Sequence, residues 1–203
     1  MNEKRALKQL KFMQKNSKDM RLAAESWKND YETLISIILS ARTRDEVTIV
    51  VAEKLFKIFP NAEKLAKAPL REVQKIIKPI NFYKNKSKNI VNCAKILVSK
   101  YNGKVPPDFD QLLELPGVGR KTANVFLKEK GKDNLAVDTH VFYLSKKLGW
   151  AKSNHPHKVE QELKELFSKK HWSVINETLV TFGKTHTSRK QKDELLKKIK
   201  QIR

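Results

Sequence analysis

Apolar residues along this chain recur at spacings of three and four, and strand-like alternation is nearly missing. That period predicts helices from one end to the other. The segment YETLISIILSA (31–41) has too few polar positions for a surface helix and is expected in the core. DEVTIVVAEKLFKIF (45–59) opens with two acids, which suit the positive end of a helix, and stops before Pro60. Two short helices, in NAEKLAKA and LREVQKII, are separated by Pro69 and ended by Pro79. KNKSKNIVNCAKILVSKY (84–101) is a long amphipathic helix with Asn102-Gly103 as its stop. VPPDFDQLLEL gives a short helix capped by Asp108. Further helices are expected at 121–130, 139–149, 156–168, 172–184 and 190–202. The fold class is all-α, with about ten helices.

No repeat or low-complexity linker marks a domain boundary. The polar, glycine-containing break KEKGKDN (128–134) divides the chain best, with residues 23–131 as one helical unit. Residues 1–22 and 132–203 would then join in a second unit.

Composition narrows the function. A chain of 203 residues with 39% hydrophobic and 32% charged positions can bury a core. Its 43 Lys and Arg against 22 Asp and Glu leave a formal net charge of +21. That surplus implies a polyanionic partner, nucleic acid first, with anionic membranes or ribosomal surfaces as rivals. No apolar run approaches the ~20 residues of a membrane span, and the N-terminus lacks a signal-peptide core. The single cysteine, Cys93, excludes an intramolecular disulfide and any cysteine-based zinc or iron–sulfur centre. It reads as a buried small hydrophobe in an intracellular protein. His155 and His157 flank a proline with no third ligand in view, so no metal is assigned.

Chemistry concentrates in LPGVGRKTAN (115–124), where Pro116, Gly117, Val118 and Gly119 form a tight turn before a helix. Glycine lets backbone amides reach a bulky anion, and a helix N-terminus adds N–H groups and a positive dipole end. Val118 can pack inward and pin the turn. An ordinary helix connector is the plain alternative, but Arg120 and the basic background favour phosphate binding. Lys121 sits where the dipole and Arg120 both disfavour a cation, which favours its neutral, nucleophilic amine. Downstream, LAVDTH (135–140) places three apolar residues before Asp138, Thr139 and His140. Asp138 or Thr139 can be a helix N-cap, and Asp138 can equally be a carboxylate that assists a nucleophilic amine.

Together the two segments resemble the helix–hairpin–helix DNA glycosylases of the endonuclease III family. The resemblance spans residues 31–186 and includes LSARTRDEVT (39–48), PINFYKNKSKNI (79–90), GKVPPDFDQLLELPGVGRKTAN (103–124) and LAVDTHVFYLSKKLG (135–149). It implies a six-helix barrel domain carrying the hairpin, a second helical domain, and a DNA cleft between them. It also implies a base-excision repair enzyme that extrudes an oxidised pyrimidine from double-stranded DNA. In that scheme Lys121 attacks the sugar C1′ and Asp138 assists base loss. The resulting Schiff base permits β-elimination at the abasic site.

By the same resemblance, Arg42 and Phe82 occupy the two positions that fill the gap left by the extruded base. Many relatives have glutamine at the first of these. Phe82 also reads as a core aromatic beside Tyr83. Asn81 stands where relatives often carry glycine, consistent with a positive φ. Ser40, Asp45 and His140 are assigned to the damage pocket, with a helix N-terminal carboxylate an equal account of Asp45 and local orientation or hydrogen bonding beside Asp138 an account of His140. Thr139 joins the hairpin residues in contacting DNA.

The chain departs from the pattern at its C-terminus. The four cysteines that bind a [4Fe–4S] cluster in most relatives are missing from FGKTHTSRKQKDELLKKIKQIR, so no cofactor is assigned. Leu195, Leu196, Ile199 and Ile202 form an apolar stripe, expected to dock this helix on the second unit in place of the cluster. Lys192, Lys197, Lys198 and Lys200 form the opposite face, which reads by default as solvated and could alternatively track phosphates. A monomer associated with the nucleoid is expected. Two other readings stay open: a mismatch thymine or uracil glycosylase of the same fold, and a non-catalytic DNA-binding module.

Overall fold

Asparagine and aspartate side chains start five of the helices in the computed structural model, which describes residues 1–202. Asn2, Asn29, Asn61, Asp108 and Asp138 each accept a backbone N–H two or three residues on, satisfying a donor that the helix itself leaves open. Twelve α-helices and one 3-10 turn form among the described residues, against about ten expected. The chain divides into two compact units, one of residues 21–131 and one of residues 1–20 with those from 132 onward.

The unit from Arg21 to Gly131 holds α2 (Asp30–Ser40), α3 (Asp45–Ile58), α4 (Ala62–Ala66), α5 (Leu70–Ile76), α6 (Tyr83–Tyr101), α7 (Phe109–Leu113) and α8 (Arg120–Glu129). That is seven helices, with Pro69 between the two short ones as the N-cap of the second. Every residue of α2 from Tyr31 to Leu39 is buried, as its sequence requires. Leu34, Ile35 and Ile38 pack in one core with Leu55, Ile90 and Phe126. Each such side chain contributes about 1.5–3 kcal/mol on leaving water. Asn102 (φ 51°) and Gly103 (φ 77°) stop α6, and the Gly103 N–H donates to the Leu97 carbonyl at 2.8 Å.

The other unit holds α1 (Glu3–Lys15), α9 (Thr139–Leu148), α10 (Pro156–Leu166), a 3-10 turn (Lys169–His171), α11 (Trp172–Thr185) and α12 (Arg189–Gln201). His155 is the N-cap of α10, with Pro156 in its first turn. Leu196 and Ile199 bury the apolar stripe of α12, which packs on α1 and α9. Gln9 joins three segments: its side-chain amide donates to the Ile199 carbonyl (3.1 Å) and its oxygen accepts the Trp150 indole N–H (2.7 Å). Arg5 closes the end of α12 by donating to the carbonyls of Lys200 and Ile202. One lysine departs from the expected solvated face. The Lys192 ammonium turns inward and donates to the Gly183 carbonyl at 3.2 Å. No described helix is long and apolar enough to cross a membrane.

Candidate active site

The segment between α7 and α8 is built on two glycines that do different work. Leu115 and Val118 are buried, and the Val118 N–H donates to the Leu115 carbonyl at 3.0 Å, closing the turn. Gly117 has φ +85°, and a Cβ there would stand 3.0 Å from Asn89 Cβ and 3.2 Å from Ile38 Cγ2. Conformation and space both demand glycine. Gly119 has φ −102°, open to any residue, and a Cβ there would meet no group within 4 Å. The fold therefore does not require it. What glycine supplies is bare backbone at the N-cap of α8, where the helix dipole favours an anion.

Arg120 and Lys121 are the first two residues of α8, and both are exposed. The Arg120 guanidinium folds back over the Phe109 ring, 5.0 Å from its centre. Pro116 is half-buried beside Leu115. The face behind them, Ala123, Phe126 and Leu127, is buried in the core, so α8 is held rigidly with its N-terminus at the surface.

Arg42 and Phe82 are brought together. Phe82 is 58% exposed, which rules out a core role. The Arg42 guanidinium carbon lies 5.7 Å from the centre of its ring. Both residues have positive φ, 56° and 59°. Asn81 does not: the left-handed residue is its neighbour Phe82, and Asn81 instead makes two hydrogen bonds to the 42–43 segment. Its side-chain amide donates to the Arg42 carbonyl (2.5 Å) and its backbone N–H to Thr43 Oγ1 (3.2 Å).

Lys86 was not singled out by its sequence. It is 7% exposed, and its ammonium donates to the carbonyls of Leu39 (2.7 Å) and Ala41 (2.5 Å) and to Thr43 Oγ1 (3.4 Å). Burial pushes its pKa down to about 8. A signal existed, since Lys86 lies on the same stripe as Ile90, Cys93, Ala94 and Leu97.

Ser40 hydroxyl donates to the Ile37 carbonyl at 2.8 Å, a local bond within its own helix. Asp45 is the first residue of α3, in the position that complements the helix dipole. In the other unit, Asp138 is the N-cap of α9, and its Oδ1 accepts the Val141 N–H at 2.8 Å. Thr139 and His140 follow in the first turn of α9, and the His140 ring abuts Gly183 of α11. The Asn176 side-chain amide donates to the Ala136 carbonyl (2.5 Å), tying down the loop that leads to Asp138.

The four-cysteine cluster does not fit this chain. Its one cysteine, Cys93, is fully buried in α6, and burial pushes the thiol up to about 12. The C-terminal segment offers no thiolate.

Similarity to known proteins agrees with this geometry. The family model described as HhH-GPD superfamily base excision DNA repair protein matches residues 35–169. The endonuclease III of Thermotoga maritima is 44% identical over 155 residues, 76% of this chain and 73% of the relative. That of Bacillus subtilis is 39% identical over 185 residues, 89% and 84% of the two chains. A trapped covalent intermediate of an endonuclease III with DNA superposes with a TM-score of 0.85 at 35% identity, covering 93% of this chain and 89% of that one. With the hairpin, its bare helix start and the lysine behind it in place, the chain belongs to the HhH-GPD superfamily of base excision DNA repair proteins, within its endonuclease III group of DNA glycosylase/AP lyases.

Proposed function

We propose that this protein is a bifunctional glycosylase and abasic-site lyase acting on oxidised pyrimidines of the thymine glycol type in double-stranded DNA. The observation that carries the reading is Lys121: an exposed amine on the second residue of α8, directly behind a hairpin whose Gly119 leaves the backbone open. Phosphate held at the α8 N-terminus brings the sugar to the amine. The Lys121 nitrogen forms a bond to C1′ as the bond from C1′ to the base breaks, and the departing base takes up a proton. The Asp138 carboxylate balances the cationic sugar at this stage and guides the proton. Ring opening gives an imine between Lys121 and C1′, which acidifies the C2′ proton. Its removal expels the 3′ phosphate and cuts the strand, and water then releases the lysine. Arg42 and Phe82 enter the stack beside the extruded nucleotide, where an exposed aromatic ring can cover either neighbouring base.

Borohydride trapping on a duplex carrying thymine glycol tests this, with wild type beside Lys121→Ala. A covalent adduct is expected with the intact lysine and none with the variant. An abasic-site duplex separates the steps. Trapping there but not on thymine glycol would leave a lyase of different lesion choice, and trapping on neither would end the Schiff-base reading.

A further inference from the structure

A lysine is costly to bury, and α6 buries one of the three at its start. Lys84 and Lys88 are exposed, whereas Lys86 points into the protein. Its acceptors explain why it stays. The carbonyls of Leu39 and Ala41 belong to the last turn and C-cap of α2, where carbonyls lack helical partners and carry the negative end of the dipole. With Thr43 Oγ1 they make three acceptors, and only the charged amine has three donors. Lys86 is thus the cap of α2, supplied from a different helix.

The same bonds continue to the two exposed residues. Thr43 Oγ1, which takes the Lys86 ammonium, also accepts the Asn81 backbone N–H. Asn81 returns to the Arg42 carbonyl through its side chain. Arg42 and Phe82 lie at the two ends of this chain of contacts, each in the left-handed region that disfavours a residue with a side chain. Such conformations persist only where the surroundings over-determine them. We propose that Lys86 is a positioning residue that, through Thr43 and Asn81, ties the 41–43 and 80–82 loops together and presents Arg42 and Phe82 to DNA as one pre-formed unit. This rests on the reading of those two residues as the ones that enter the stack.

The test uses the full chain and a duplex with an abasic site opposite 2-aminopurine, whose fluorescence reports entry into the stack. Wild type is compared with Lys86→Met, with the Arg42→Ala/Phe82→Ala pair, and with all three changes combined. Lys86→Met is expected to slow single-turnover strand cleavage about tenfold and to weaken the fluorescence change in step, as coupled neighbours do. In the Arg42→Ala/Phe82→Ala background the same change is expected to cost less than about twofold, because there is nothing left to position. An equal loss in both backgrounds would make Lys86 a stability element and overturn the proposal. So would wild-type behaviour of Lys86→Met. If the Arg42→Ala/Phe82→Ala pair itself matches wild type, the stack-entry reading fails and takes the proposal with it. If Lys86→Met does not fold, Thr43→Val is read by the same criteria, with an expected loss of about threefold to tenfold for the two hydrogen bonds its hydroxyl accepts.

Discussion

The His140 ring lies so close to Gly183 that a Cβ built at residue 183 would stand 2.4 Å from His140 Nδ1 and 2.9 Å from its Cβ. Glycine within a helix costs about 1 kcal/mol against alanine, so its presence in α11 needs a reason. The reason is the start of α9, which carries Asp138 as N-cap and His140 in its first turn. Gly183→Ala is expected to displace that turn and to destabilise the protein by about 1–3 kcal/mol, the usual range for overpacking. Strand cleavage should fall further than DNA binding, since Asp138 moves with the turn. Thermal unfolding and single-turnover kinetics on one preparation check this; an unchanged Tm would mean that α9 yields without cost.

The hairpin glycines should respond in opposite ways. Gly117→Ala meets a positive φ and contacts at 3.0 Å and 3.2 Å, so a loss of about 1–2 kcal/mol is expected in unfolding. Gly119→Ala meets neither, so stability should change by no more than about 0.5 kcal/mol. If phosphate binds the backbone at this turn, DNA affinity should nevertheless fall, because the added methyl group would stand at that bare backbone. Unaltered affinity in Gly119→Ala would contradict backbone binding at this turn.

Removing residues 189–203 tests the dock of α12. Two buried aliphatic side chains, Leu196 and Ile199, are lost together with the acceptor for Gln9, which at about 1.5–3 kcal/mol each amounts to about 3–6 kcal/mol. A fall in Tm of roughly 6–24 °C is expected for a chain of this size, at about 2–4 °C per kcal/mol. Gln9→Leu isolates the polar part: it leaves the Trp150 indole N–H and the Ile199 carbonyl without their buried partner, at a cost of about 1–3 kcal/mol. A truncated chain that melts with wild type would show that α12 does not support its unit.

Lys86 should also mark the pH dependence of stability. Burial lowers its folded-state pKa to about 8 from 10.5, so between those values the unfolded chain binds more protons than the native one. The contribution of this group to stability therefore rises as pH climbs from about 8 toward 10.5 and is lost as pH falls through about 8. Urea unfolding of wild type and Lys86→Met across that range should show the difference tilting toward wild type with rising pH. Parallel curves would refute a buried, depressed amine.

Much of this protein could be read one segment at a time. The helical period located the long helices because burial of one face repeats with the helix turn, whatever the helix packs against. Asn102-Gly103 and Asp108 acted as expected because stops and caps are made within a few residues. The helix start before Lys121 and the N-cap at Asp138 were legible for the same reason, since a glycine turn and a capping acid are both short motifs.

What tertiary structure decided lies wherever a side chain's partner is distant in sequence. Asn81 suited a positive φ by type, yet the positive φ falls at Phe82 while Asn81 bonds the Arg42 carbonyl, thirty-nine residues back. Lys86 looked like one more charge in KNKSK until α2 presented it with the carbonyls of Leu39 and Ala41, more than forty residues back. Lys192 seemed to belong to a solvated face until the Gly183 carbonyl drew it in. Local sequence sets backbone periodicity and capping, because those forces act over one or two turns. Burial and hydrogen bonding of a given lysine depend on which carbonyls the packed helices bring to it, and only the assembled core determines that.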